Sequence, residues 1–235
     1  MRRIDCEACG QRHQGGVCDW PAEALDDFRA VGSSAIYKPR QVIFNEGGPC
    51  TGLYIICHGA VKLYHSDRFG RDHILEVAGA GAVVGEVPSG DDQTLSISAE
   101  ALLESQIHFL PRERLTQFLR KYPATAVRLI GVLSSELAVA RRKVRDLALK
   151  GAESRLADLL LQIARANGDL KSGTRLQLNY TRRELGEMIG VSTETAIRLL
   201  ARLRQKQAIR VQHKEVTITD FPKLSRIANQ GEMGG

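Results

Sequence analysis

Three thiols stand close together near the start of the chain, where Cys6-x2-Cys9-x8-Cys18 places them within thirteen residues. Thiolates at such spacing can wrap one iron-sulfur cluster or a zinc ion. His13 could complete a Cys3His zinc site. Cys6 and Cys9 also have the spacing of a thiol-disulfide switch, although the βαβ setting of a thioredoxin-like site is missing. A haem would draw on His58, His65, His73 or His108 together with a cysteine, and no c-type Cys-x-x-Cys-His run is present. The opening residues, Met1-Arg2-Arg3-Ile4-Asp5-Cys6, lead into polar sequence rather than the apolar run of a secretory signal, so a cytoplasmic location is expected. In that reducing setting five cysteines, an odd number, point to metal binding, redox sensing or packing rather than a disulfide framework.

A second constellation lies near the other end. Thr181-Arg182-Arg183-Glu184 has the S/T-x-x-E form of a capping box, so a helix is expected to begin near Arg182 and to stop at Gly190. Ser192 or Thr193 can then cap a second helix running to about Gln205. Burying Ala196, Leu199, Leu200 and Leu203 turns Glu194, Ile197, Arg198 and Arg202 outward, and these together with Arg182, Ser192 and Thr193 are the expected DNA contacts. From the N-terminal part of a recognition helix, Arg198 can pair bidentately with guanine and Glu194 can accept from cytosine N4. Ile209 to Val211 and Val216 to Ile218 flank His213-Lys214 as a hairpin, which completes a winged helix-turn-helix whose basic residues would meet phosphates.

The charge distribution agrees with that reading. The first 140 residues hold 14 Lys+Arg against 17 Asp+Glu, and the remainder 19 against 10, within an overall net charge of +6. A basic C-terminal segment on a mildly acidic body suits a polyanion, nucleic acid ahead of an anionic membrane. Its arginines follow helix-turn-helix spacings rather than one amphipathic stripe, so no membrane partner is expected.

Between the two constellations, residues 35 to 111 read as short strands separated by turn signals, with strands expected at 35–37, 41–44, 53–57, 60–64, 73–77, 82–84 and 94–98. A short helix from Arg112 to about Tyr122 precedes a long one over Thr125 to Leu149. On the long helix Ile130, Leu133, Leu137, Ala140, Val144 and Leu147 recur at spacings of 3 and 4, the seam of a coiled coil, so a homodimer is expected. With no acidic residue in the seam, the dimer should persist without cofactor. A further amphipathic helix is expected over Ala152 to Ala166.

Taken together, Val191-Ser-Thr-Glu-Thr-Ala-Ile-Arg198-Leu-Leu and Gly52-Leu-Tyr-Ile-Ile-Cys-His-Gly59-Ala-Val, with Gly85-Glu86 later, resemble the CRP/FNR family of bacterial transcription regulators. The resemblance implies an α+β fold: a cyclic-nucleotide-binding-type β-roll, a long dimerisation helix and a C-terminal winged helix-turn-helix. The expected domains are a cysteine-rich arm at 1–20, the roll at 21–122, the dimer helix at 123–150 and the DNA-binding domain at 151–235. It further implies palindromic double-stranded DNA with TGA and TCA core half-sites, read by Glu194 and Arg198, and RNA polymerase as a partner. Ile197 departs from the small residue common in the family, which leaves the outer bases open.

The arm Cys6-Glu-Ala-Cys9 through Cys18 resembles that of the oxygen-responsive FNR branch, in which three such cysteines and a fourth in the roll hold a [4Fe-4S] cluster. The family's fourth position falls on His108 here, with Cys57 or Cys50 as alternatives. Zinc and haem remain the other cofactors in view. A cyclic nucleotide is not expected, because no Lys or Arg occurs from Asp72 to Pro111 to meet its phosphate. An enzyme is not expected either: the chain has no glycine-rich phosphate loop, nucleophile elbow or paired carboxylates at informative spacing.

Overall fold

The computed structural model describes Cys6, Cys9 and residues 16–87, 94–166, 168, 170–178, 180–213 and 215–230. His13, Pro88 to Asp92 and Lys214 lie outside them. Two compact units divide inside the long helix, Met1–Leu137 and Ala138–Gly235.

In the first unit a 3-10 turn, Gly16–Asp19, leads into helix α1, Ala22–Val31. Eight strands follow: β1 Ser33–Tyr37, β2 Val42–Phe44, β3 Gly52–His58, β4 Ala60–Ser66, β5 Asp72–Gly79, β6 Val83–Val84, β7 Ser98–Ala101 and β8 Ser105–Pro111. They form two four-stranded sheets, β1-β8-β3-β6 and β2-β7-β4-β5, with antiparallel pairing throughout. The strand expected at 94–98 instead starts at Ser98, and Thr94 makes only an isolated bridge to Pro49. Between the sheets lies a core that includes Ile56, Val61, Ala99 and Ile107.

A second core lies on the other face of the first sheet. Period-two alternation along β3 directs Tyr54 and Ile56 to the inter-sheet core, and Leu53, Ile55 and Cys57 to this one. Helix α1 contributes Leu25 and Phe28, helix α2 (Arg112–Lys121) contributes Leu115 and Phe118, and Trp20 stacks between Phe28 and Phe118 at centroid distances of 5.5 and 5.2 Å. Aromatic pairs at such distances add roughly 0.5–1.5 kcal/mol each beyond burial. Helix α1 was not expected from the sequence, and β8 falls in the stretch expected to be short strands without separate bounds. The apolar content of α1 is diluted by Glu23, Asp26, Asp27 and Arg29.

Helix α3, Pro123–Leu149, begins on a proline, which the first helical turn accepts because its N–H would have no partner there. By length and composition it is apolar enough to cross a membrane. The expected seam residues Ile130, Leu133, Leu137, Ala140, Val144 and Leu147 are all exposed in the single chain, as are Val127, Val139 and Leu149 outside the seam. In the second unit come α4 (Ala152–Ala166), β9 (Arg175–Gln177), α5 (Arg182–Ile189), α6 (Thr193–Gln205), β10 (Ile209–Gln212), β11 (Glu215–Ile218) and α7 (Phe221–Ala228). The sheet order β10-β11-β9 adds a third strand to the expected hairpin.

Candidate metal centre and nucleic-acid interface

Cys6, Cys9, Cys18 and Cys57 line one cavity, closed by Val17, Leu25, Phe28 and Ile55, with about 390 Å³ of space, part of it open to solvent. Local order explains how each arrives. Cys18 sits in the 3-10 turn, and Cys57 sits at a register shift between Ile56 and His58 of β3, an irregularity of the kind that re-aims a side chain. Burial pushes the Cys57 thiol up to about 12, and the nearby Cys6, Cys18 and Cys9 sulfurs add to the rise as like charges. A hydrogen bond from the His108 backbone N–H to Cys57 opposes it. Cys57 is therefore a protonated thiol at neutral pH unless a cation displaces its proton.

Among the described residues, no group of three or more His, Cys, Asp and Glu is arranged to hold a single metal ion.

His108 does not reach this cavity as a ligand. It is 1% exposed, its Nε2–H donates to the Phe28 carbonyl at 3.1 Å, and its Nδ1 accepts from the Ser34 hydroxyl at 2.9 Å. The two partners assign the tautomer, because a carbonyl can only accept. Burial holds the ring below the ordinary histidine pKa, so it is neutral at pH 7. Both nitrogens are engaged, so His108 offers the cavity no ligand in this arrangement, and of the expected alternatives Cys57 lines it. Cys50 is buried in the inter-sheet core and does not line the cavity. The other haem candidates, His58, His65 and His73, are exposed, with His65 paired to Glu46 at 2.8 Å.

The second unit carries the other site. The capping box is present in full: Glu184 N–H donates to the Thr181 hydroxyl at 3.1 Å, and Thr181 N–H to the Glu184 carboxylate at 2.6 Å. Gly190 ends α5 at φ +69°, the left-handed region that a residue with a Cβ resists. Ser192 caps α6 by accepting from Thr195 N–H at 3.3 Å, while Thr193 is its first residue. Ala196, Leu199, Leu200 and Leu203 are buried, leaving Glu194, Ile197, Arg198 and Arg202 exposed on one face. Hydrogen bonds at its own helix N-terminus and to Ser192 hold Glu194 below the usual carboxylate range, with Arg198 a smaller cause. Arg198 itself donates to the Thr195 hydroxyl at 3.0 Å, so Glu194 and Arg198 lie side by side without neutralising each other's hydrogen-bonding edge. Arg182, expected on DNA, donates to the His213 carbonyl at 2.9 Å and thereby holds the turn of the wing.

Comparison with known proteins identifies two domain families in the chain. Residues 35–122 match the cyclic nucleotide-binding domain family, and residues 154–227 the Crp-like helix-turn-helix domain family. Over 187 residues the chain is 30% identical to the CRP-like cAMP-activated global transcriptional regulator of Mycobacterium tuberculosis, covering 79% of this chain and 84% of that protein. The chain belongs to the CRP/FNR family of transcription regulators. This CRP/FNR regulator is also 30% identical over 191 residues to the anaerobic regulatory protein of Pasteurella multocida, covering 80% of this chain and 69% of that protein. The c-di-GMP responsive global regulator CLP of Xanthomonas campestris shares its fold with a TM-score of 0.76, at 24% identity over 85% of this chain and 99% of that one.

Sequence reasoning missed the residues that close the cavity of this regulator, Leu25, Phe28 and Ile55. The alternation Leu53, Ile55, Cys57 within β3 was the available signal for Cys57. Nothing local indicated that the α1 side chains would face it.

Proposed function

We propose that this CRP/FNR regulator senses oxygen or nitric oxide through a [4Fe-4S] cluster held by Cys6, Cys9, Cys18 and Cys57. The observation that carries the reading is the convergence of these four sulfurs, 51 residues apart at their extremes, on one otherwise apolar cavity. Likeness to an anaerobic regulatory protein supports it. Such a cluster supplies reactivity toward diatomic oxidants, which its loss converts into a signal. The protein's own contribution is to collect four thiols, let Cys57 lose its proton only to a metal, and line the site with Val17, Leu25, Phe28 and Ile55 so that water is scarce.

A nucleotide effector is less well supported, despite the cAMP-activated relative. The buried Lys62 ammonium is held by Asp72 at 3.4 Å and Glu100 at 3.3 Å, and the Glu86 carboxylate accepts from the Ser96 N–H and hydroxyl.

The output is carried by α6 in a cytoplasmic homodimer joined along Ile130, Leu133, Leu137, Ala140, Val144 and Leu147. Two recognition helices then read a palindrome with TGA and TCA core half-sites and present the protein to RNA polymerase. Anaerobic purification with iron and sulfide analysis of the wild type and of Cys57→Ser tests the sensor reading. Iron bound by the wild type and lost from the variant supports it; one zinc per chain in both contradicts it.

A further inference from the structure

We propose that His108 is the positioning residue of the cysteine cavity: its imidazole holds the Phe28 wall of α1 against the sheet whose strand β3 carries Cys57.

His108 lies in the middle of the first sheet, opposite Ser34 on one side and Ile55 on the other. Its ring leaves the sheet toward α1 and stacks on Phe28 at 4.3 Å between centroids. The carbonyl it binds, that of Phe28, is among the last four of α1, which have no acceptor role within the helix and need a partner from outside. The imidazole is thus a C-terminal cap delivered from a strand 80 residues away. Ser34 fixes the ring from the other side, so the cap has one orientation. Gly32, the residue after α1, makes room for it: a Cβ there would fall 2.2 Å from Nε2 and 2.5 Å from the Phe109 carbonyl. Glycine at 32 and histidine at 108 therefore form one device that draws the end of α1 onto β8.

The same residue pairs in the sheet with Ile55 of β3, two residues before Cys57. Phe28 and Cys57 both line the cavity, so the imidazole ties the α1 wall to the strand pair that carries Cys57. Removing the imidazole releases α1, retracts Phe28 and uncovers Cys57 while leaving every sulfur in the sequence. The consequence for a bound cluster rests on the functional reading above; the covering of Cys57 does not.

The test uses full-length protein, with His108→Leu to remove both ring hydrogen bonds, Gly32→Ala to displace the ring, and His108→Gln to restore an amide donor toward the Phe28 carbonyl. In reduced, metal-free protein at pH 8, iodoacetamide labelling of each cysteine is followed by peptide mass spectrometry. Cys57 is expected to react roughly tenfold faster in His108→Leu and Gly32→Ala, and close to the wild-type rate in His108→Gln, with Cys50 unchanged as internal control. Anaerobically loaded His108→Leu is expected to hold iron and to bleach faster in air. Unchanged Cys57 labelling in both His108→Leu and Gly32→Ala would overturn the proposal, as would iron absent from His108→Leu but full in Cys57→Ser, which would make His108 a ligand. Wild-type protein without iron but with faster Cys57 labelling in the variants would leave the positioning role standing and remove the cluster. Should His108→Leu fail to fold by circular dichroism, Gly32→Ala against His108→Gln gives the same contrast.

Discussion

The recognition helix and the cysteine cavity are built on opposite plans. The capping bonds that start α5 and α6, and the glycine turn between them, lie within residues 181–195, whereas the cavity gathers residues 6, 9, 18, 28 and 57 and leans on 108. A site made of local signals tolerates change elsewhere in the chain. One made of distant pieces depends on the packing that brings them together.

The sharpest break of this contrast is Cys57→Ser against Cys50→Ser. Iron should fall from about four per chain to less than about one in the first and stay unchanged in the second, by metal analysis of anaerobic protein. Replacing Leu133 and Leu137 with Asp places charge in the exposed seam, and sedimentation should then show monomer where the wild type is dimer, without cofactor in either case. On the DNA side Arg198→Ala should cost roughly 1 to 3 kcal/mol and relax discrimination at one guanine, measured by titration against site variants; a uniform loss over all sequences would make it a phosphate contact. Thr181→Ala removes one half of the capping box and should lower stability by about 1 kcal/mol in chemical denaturation.

The smallest expected effect concerns Glu136, whose carboxyl is raised to about 6, chiefly by burial and then by Glu76. A carboxyl raised on folding favours the native state when protonated, so its contribution declines as pH rises from about 4.5 through 6. Glu136→Gln should raise Tm at pH 7.5 by no more than about 2 °C, because the carboxyl still meets water, and should flatten that part of the pH profile.

The same contrast governs how much could be read from the sequence. Thr181, Glu184, Gly190 and Ser192 announce the helix pair by their types and spacing, and the seam from Ile130 to Leu147 announces the long helix. Cys6, Cys9 and Cys18 were legible as a candidate set because they are close in sequence. The fourth sulfur was not, since choosing Cys57 over Cys50 and His108 requires knowing which face of β3 meets α1. Nor was the link from Asp19, next to Cys18, to Arg128 on α3, where the guanidinium meets both the Asp19 carbonyl and, at 3.8 Å, its carboxylate.

The most direct test of the central claim is iron, sulfide and visible absorption of anaerobic wild-type protein beside Cys57→Ser, before and after air. About four iron and four sulfide per chain, absorbing near 400 nm and bleaching in air, with both lost in Cys57→Ser, is the expected result. A colourless wild type with one zinc per chain, or full iron in Cys57→Ser, would contradict it.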